Sequence, residues 1–179
     1  LMILMTTPKN NSSVDNRKRL YPEYKFLILV SAALALAFIC SFFFLRLSRV
    51  DGDSMSPTLS NGDWILVSPN AYKNAVPERG DIIVFKRSSL SKGHIIKRVI
   101  GLPGETVEIK SGRVFINGSA IDDEFYVFDP DSNFGPIVVD EGSCFVLGDN
   151  RNHSSDSRHW EDPQVSFREI FGKPIFYFK

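Results

Sequence analysis

Residues 106–118 read TVEIKSGRVFING. Two short runs, Thr106 to Lys110 and Arg113 to Ile116, are separated only by Ser111-Gly112, and their apolar residues recur at the period of two that a half-buried strand needs. A two-residue turn between such runs gives a β-hairpin, and Asn117-Gly118 supplies the turn that follows it. The same grammar continues on both sides. Trp64 to Ser68, Asp81 to Lys86, His94 to Ile100, Cys144 to Leu147 and Pro174 to Phe178 are short apolar runs punctuated by glycine and proline, the expected strands of an antiparallel β domain.

Towards the N-terminus the pattern changes. Residues 26–45 read FLILVSAALALAFICSFFFL, an apolar run without a charge and without a polar stripe at helical period. At roughly 1.5 Å per residue such a helix spans a bilayer core of about 30 Å. Lys9, Arg17, Lys18, Arg19 and Lys25 precede it and only Arg46 and Arg49 follow closely. The positive-inside rule therefore expects a cytoplasmic N-terminus and an outward-facing remainder. A cleaved secretory signal would be shorter and would end at small residues, whereas FFFLRLSRV closes this one. The expected organisation is a polar tail over 1–25, with Pro8 to Asn16 flexible, a transmembrane helix over 26–45, and a mainly β domain over 46–179.

Composition narrows the classes further. With 43% hydrophobic residues, 23% charged residues and 15 Phe in 179 positions, the chain has the means to bury a real core. A net charge of zero gives no basic face for nucleic acid. Cys40 and Cys144 lie far apart in sequence and in different settings, so no disulfide is expected. His94, His153 and His159 have no metal-ligand spacing around them, and the reading is of chemistry without metal or cofactor.

Three stretches carry chemistry. VDGDSMSPTL sets Ser54 among small, turn-prone residues where a hydroxyl is accessible, though a serine in a turn means little without a base. HIIKRVIG offers the base: on a strand, Ile95, Lys97 and Val99 share one face, and a lysine turned inward loses hydration and with it basicity. Strand phase alone allows either Lys97 or Arg98 to point inward. FVLGDNRNHSSDSRHW is too dense in hydrogen-bonding side chains for a simple turn and suits a supporting shell. A triad built within it from Ser154 or Ser155, His153 and Asp156 is disfavoured, since sequence neighbours seldom converge as triads do.

In this order, after an apolar anchor, these stretches resemble type I signal peptidases. VDGDSMSPTL looks like the family's nucleophile box, GDIIVFK its central strand, HIIKRVIGLPGE its lysine box and GDNRNHSSDSRHW its C-terminal box, so that the likeness runs from about Val50 to Phe178. The resemblance implies a fold of coiled antiparallel sheets, with Ser54 as nucleophile and Lys97, inward, as general base. It makes Ser154 the residue that hydrogen-bonds and orients the Lys97 amine, and Asp149, Asp156 and Arg158 structural polar partners. Met55 and Ile96 would line the pocket for the small side chain next to the cut, and the Ser54 amide would hold the oxyanion. The implied partners are secretory preproteins and the lipid bilayer of the plasma membrane, crossed once, with the catalytic domain outside.

Some positions depart from the family. Gly52 stands where some relatives place a serine that adds a hydroxyl to the oxyanion hole, as is usual for the single-anchor type. Asn152 replaces a common Asp, and Glu161-Asp162 replace the glycine expected after Trp160, which should alter only the rim of the site. Two other functions remain in view: a Ser-Lys maturation peptidase dedicated to one client, and a catalytically silent anchored β domain that binds peptides.

Overall fold

The computed structural model describes residues 22–122 and 131–178, with side chains of its helix described over 24–39. The expected tail, with Lys9 and Arg17 to Arg19, lies outside the described residues, as does the side chain of Cys40. The chain divides into two compact units, Leu1–Ile39 and Cys40–Lys179.

The N-terminal helix α1 runs Pro22–Phe44. Proline at its first position has its fixed φ and missing N–H where neither matters. Every side chain over 24–39 is exposed, Phe26, Leu29, Leu34 and Phe38 among them. Those sixteen residues rise only about 24 Å, and among the described residues no helix is long and apolar enough to cross a membrane.

The rest is a pair of antiparallel sheets. Eleven strands follow: β1 Arg46–Arg49, β2 Trp64–Ser68, β3 Ile82–Phe85, β4 Ile95–Gly101, β5 Thr106–Lys110, β6 Arg113–Ile116, β7 Ser119–Ala120, β8 Phe134–Val138, β9 Ser143–Leu147, β10 Gln164–Ser166 and β11 Ile170–Phe178. The seven-stranded sheet has the order β1-β2-β11-β3-β4-β9-β10 and the four-stranded sheet β7-β6-β5-β8. The hairpin of 106–116 closes through Ser111 and Gly112 with Lys110 opposite Arg113. Both turn residues have positive φ, 47° and 72°, the primed turn whose twist suits paired strands. Asn117-Gly118 repeats the device between β6 and β7, at 52° and 80°.

The strands expected from sequence all form, three of them with the expected ends. The four that the sequence did not announce, β1, β7, β8 and β10, are the outer strands of the two sheets. An edge strand has one partner and little to bury, so its alternation is weak; β8 also contains Pro136, which removes a ladder donor.

Burial ties the sheets together at β9, where Cys144 to Leu147 are all buried in succession. Phe145 and Leu147 join Val107, Ile109, Val114 and Ile116 in one cluster, while Cys144 and Val146 join Ile83, Phe85, Val99 and Val165 in another. A strand apolar on both faces reads as a continuous run rather than an alternation. Burial pushes the Cys144 thiol up to about 12, so it is an inert core residue. A third cluster, Val50, Met55, Leu59, Ile65, Val67 and Val84, lies under the stretch that carries Ser54.

Candidate active site

The segment from Val50 to Asp63 leaves β1 and is pinned at its base, Val50 N–H donating to Asp63 O at 2.8 Å and Gly62 N–H to Val50 O at 2.9 Å. Inside it Ser56 N–H bonds Asp53 O and Leu59 N–H bonds Met55 O, a single tight turn. Apolar burial drives that turn into the domain, with Met55 1% and Leu59 0% exposed. Ser54, one residue before Met55, is thereby held at the surface of the cluster, half-buried.

Lys97 comes from the middle of β4, opposite Ile83 of β3. Its amine donates to Ser54 Oγ at 2.8 Å and to Ile96 O at 2.9 Å. The residue is only 4% exposed. Burial strips water from the charged form and lowers its pKa to about 8, against the opposing pull of the Asp156 and Asp149 carboxylates. A minority of this amine, far more than for an ordinary lysine, is therefore neutral near physiological pH, with a lone pair to accept a proton.

The loop after β9 is bonded to the serine turn and, through Arg98, to β4. Asn150 donates its N–H to Ser54 O at 3.0 Å and its side-chain amide to Asp53 O at 3.1 Å. Asp149, 4% exposed, accepts Arg98 Nε at 2.8 Å and Arg98 Nη2 at 2.7 Å, and its Oδ2 also takes Thr58 Oγ1–H at 2.6 Å. One carboxylate thus joins β4 to the serine turn. Asp156, wholly buried, accepts Arg158 through both oxygens and the Gly148 N–H at 3.1 Å. Arg158 in turn donates to Arg151 O at 2.6 Å, closing the loop on itself.

One expected partnership is not formed in this structure. Ser154 is buried at 7%, but the Lys97 amine spends its hydrogen bonds on Ser54 and Ile96, and Ser154 Oγ has no hydrogen-bond partner among the described residues. Ser154 stands over Gly148 instead: a Cβ there would lie 2.2 Å from Ser154 Oγ and 2.4 Å from Ser54 O. Gly148, Thr58, Asn150 and Arg98, which pairs with the expected Asp149, were not expected as parts of the site. Arg98, the alternative to an inward Lys97, is also largely buried, because it has Asp149 to meet.

The rival triad does not assemble. Asp156 is committed to Arg158, His153 is exposed and lies 3.2 Å from Asn150 Oδ1, and His159 is exposed. Among the described residues no group of three or more His, Cys, Asp or Glu is placed to hold a metal ion.

Ser54 and Lys97 open into a cleft of about 460 Å³ lined also by Met55, Ile96, Val84 and Gly52. A second cleft of about 510 Å³ beside Arg87 and Trp160 is larger, but its charged walls are tied up in the Arg87–Glu169 ion pair at 2.7 Å and it holds no serine next to a buried amine. Chemistry, not size, selects the first. Gly52 has φ +96°, a conformation side chains rarely adopt, although a Cβ there would meet nothing within 4 Å. The rim position is glycine for backbone reasons, not for lack of room.

A serine hydroxyl bonded to a desolvated amine at the head of an open cleft is the arrangement of a serine hydrolase that uses lysine as base. The chain belongs to the signal peptidase, peptidase S26 family, whose model matches residues 24–178. It is 39% identical to a probable signal peptidase I-1 of Synechocystis over 84% of this chain and 79% of that one. It is 35% identical to a signal peptidase I of Leptolyngbya laminosa over 96% of this chain and 87% of that one. A crystal structure of a signal peptidase I from Enterococcus faecalis is 34% identical and covers 55% of this chain and 96% of its own, with a TM-score of 0.47.

Proposed function

We propose that this chain is a membrane-bound serine endopeptidase that removes N-terminal signal peptides from exported preproteins, cutting after a small residue. The observation that carries the proposal is the 2.8 Å hydrogen bond from a 4%-exposed lysine amine to Ser54 Oγ at the head of a cleft. Ser54 Oγ attacks the carbonyl carbon of the scissile bond while neutral Lys97 takes the hydroxyl proton. The Ser54 N–H supports the oxyanion that forms. Lys97 then gives its proton to the leaving amine, which departs as the mature N-terminus. Water deprotonated by Lys97 attacks the acyl-enzyme and releases the signal peptide.

Met55 and Ile96 sit beside the two reacting side chains and belong to one apolar cluster with Val84. A cleft floored by such residues admits a small side chain next to the cut and excludes a charged one. Ser154 is a positioning residue, its buried hydroxyl free to accept from the Lys97 amine once a substrate competes for Ser54. Asp149 with Arg98, and Asp156 with Arg158, hold the loop after β9 against the serine turn.

The chain is anchored by the apolar segment 26–45 and crosses the plasma membrane once, N-terminus in the cytoplasm, catalytic domain outside. The run's length and the excess of Lys and Arg before it support that reading. The test is cleavage of several unrelated secretory precursors by the detergent-solubilised full chain, with the new N-termini sequenced. Cuts after a small residue in each precursor are expected. Processing of none, by folded protein, contradicts the proposal, and processing of one alone points to a dedicated maturation peptidase.

A further inference from the structure

The main-chain N–H of Ser54 is the donor that a forming oxyanion meets, and the turn around it fixes its direction. Asp53 C=O and Ser54 N–H belong to one peptide group, which is trans, so the two point in opposite directions. The Asp53 oxygen accepts from Ser56 N–H and from the Asn150 side-chain amide, both at 3.1 Å, which occupies its two lone pairs. The Ser54 N–H is thereby turned away from both donors, and among the described residues no group accepts from it. The Ser54 carbonyl is held as well, by the Asn150 N–H at 3.0 Å.

One end of this arrangement is loose by its chemistry. Gly52, two residues before Ser54, sits at φ +96° with nothing within 4 Å of the place a Cβ would take. Glycine has little barrier between its backbone wells, so rotation at Gly52 would swing the Asp53–Ser54 peptide. Asn61 stops that rotation. Its Oδ1 accepts the Gly52 N–H at 3.1 Å, and its own N–H donates to Asp53 Oδ1 at 3.2 Å. Asn61 is itself fixed from both sides: Gly62 N–H donates to Val50 O at 2.9 Å, and Ser60 N–H to Asp63 Oδ2 at 2.9 Å. Asn61 and Asp53 are both exposed, and neither lines the cleft. Their bonds therefore serve neither the core nor substrate contact; they end on the two residues whose main chain leads into the nucleophile.

We infer that Asn61 is a positioning residue: by clamping Gly52 and Asp53, together with Asn150, it holds the Ser54 N–H on the oxyanion that forms when Ser54 is acylated and again when the acyl-enzyme is hydrolysed. The inference rests on the peptidase reading of Ser54 and Lys97. A donor aimed this way acts on the transition state and not on substrate binding, so its loss falls on kcat.

The test is steady-state kinetics of the detergent-solubilised full chain with a peptide that spans a signal-peptide cut. The parent is compared with Asn61→Ala, Asp53→Ala and a double variant, Asp53→Asn with Asn61→Asp, that keeps both acceptors and the total charge. Asn61→Ala should lower kcat roughly tenfold with KM within about twofold, a part of the hundredfold or more that a missing oxyanion donor costs. The midpoint of the rising pH limb should stay where the parent has it, because Lys97 keeps its surroundings. A peptide aldehyde, which adds Ser54 Oγ to its carbonyl and places the resulting oxygen at the same N–H, should bind more weakly by the same factor. The double variant should recover most of the parent's kcat. Asp53→Ala removes the other bond of the clamp and should lower kcat in the same way, which decides the matter if Asn61→Ala does not fold. Parent-like kcat in the folded single variants overturns the inference and leaves the peptidase reading standing. A loss that moves the pH limb, or that the double variant does not restore, also overturns it, because the residue then acts through the base or the fold. No cleavage by the folded parent overturns both.

Discussion

The Lys97 amine lies 2.8 Å from Ser54 Oγ, and the separation of 43 positions between them in sequence is bridged by two strands of one sheet and the serine turn. Its pKa is lowered to about 8 by burial. Catalysis needs the neutral amine, so kcat/KM should rise with pH along a limb with a midpoint near 8 and flatten above it. A pH series with a peptide substrate checks this. A limb below 6 would mean that some other group is the base.

The same burial penalises the folded state. Below the ordinary lysine value of 10.5 the unfolded chain binds a proton that the folded chain refuses until about 8, so stability falls as pH drops through that window and stays low beneath it. Lys97→Met should remove the penalty and, at pH 7, stabilise the domain by on the order of 2 kcal/mol while abolishing cleavage. Denaturant melts at pH 7 of the parent and the variant decide it.

Gly148 has no room to grow. A Cβ would lie 2.4 Å from Ser54 O and 2.6 Å from Ser154 Cβ, and neither is the far end of a flexible side chain. Gly148→Ala should destabilise by about 1–3 kcal/mol and, by shifting the nucleophile, reduce kcat roughly a hundredfold. The kcat loss should exceed any change in KM.

Asp149 is the clasp between β4 and the serine turn. Asp149→Ala leaves the Arg98 guanidinium, 13% exposed, facing a cavity, and leaves Thr58 without its acceptor. The expected loss is about 3–5 kcal/mol, larger than for Asp162→Ala, whose carboxylate is 71% exposed. Thermal melts of the two variants make the comparison.

Much of this architecture was legible in the sequence, and the boundary of legibility is physical. The hairpin of 106–116 was readable because both strands are half-buried and its turn needs Gly112. The outer strands were not, since β1 buries nothing and β7 has two residues. Residue type and setting made Ser54 and Lys97 candidates, and only the resemblance of the surrounding stretches singled them out. The phase of β4 did not, because Lys97 is buried by apolar packing and Arg98 by its carboxylate, so alternation offers no contrast. Gly148 read as the end of a strand in VLGDN, and its close approach to Ser54 depends on a contact across 94 positions that no local pattern records.

The most direct test of the account is acylation of Ser54 followed by mass spectrometry in the parent, Ser54→Ala and Lys97→Ala, using a secretory precursor at pH 7 and pH 9. The account predicts an acyl-enzyme on Ser54 in the parent, formed faster at pH 9, and none in either variant. Precursor cleavage by Ser54→Ala or Lys97→Ala at the parent's rate would contradict it.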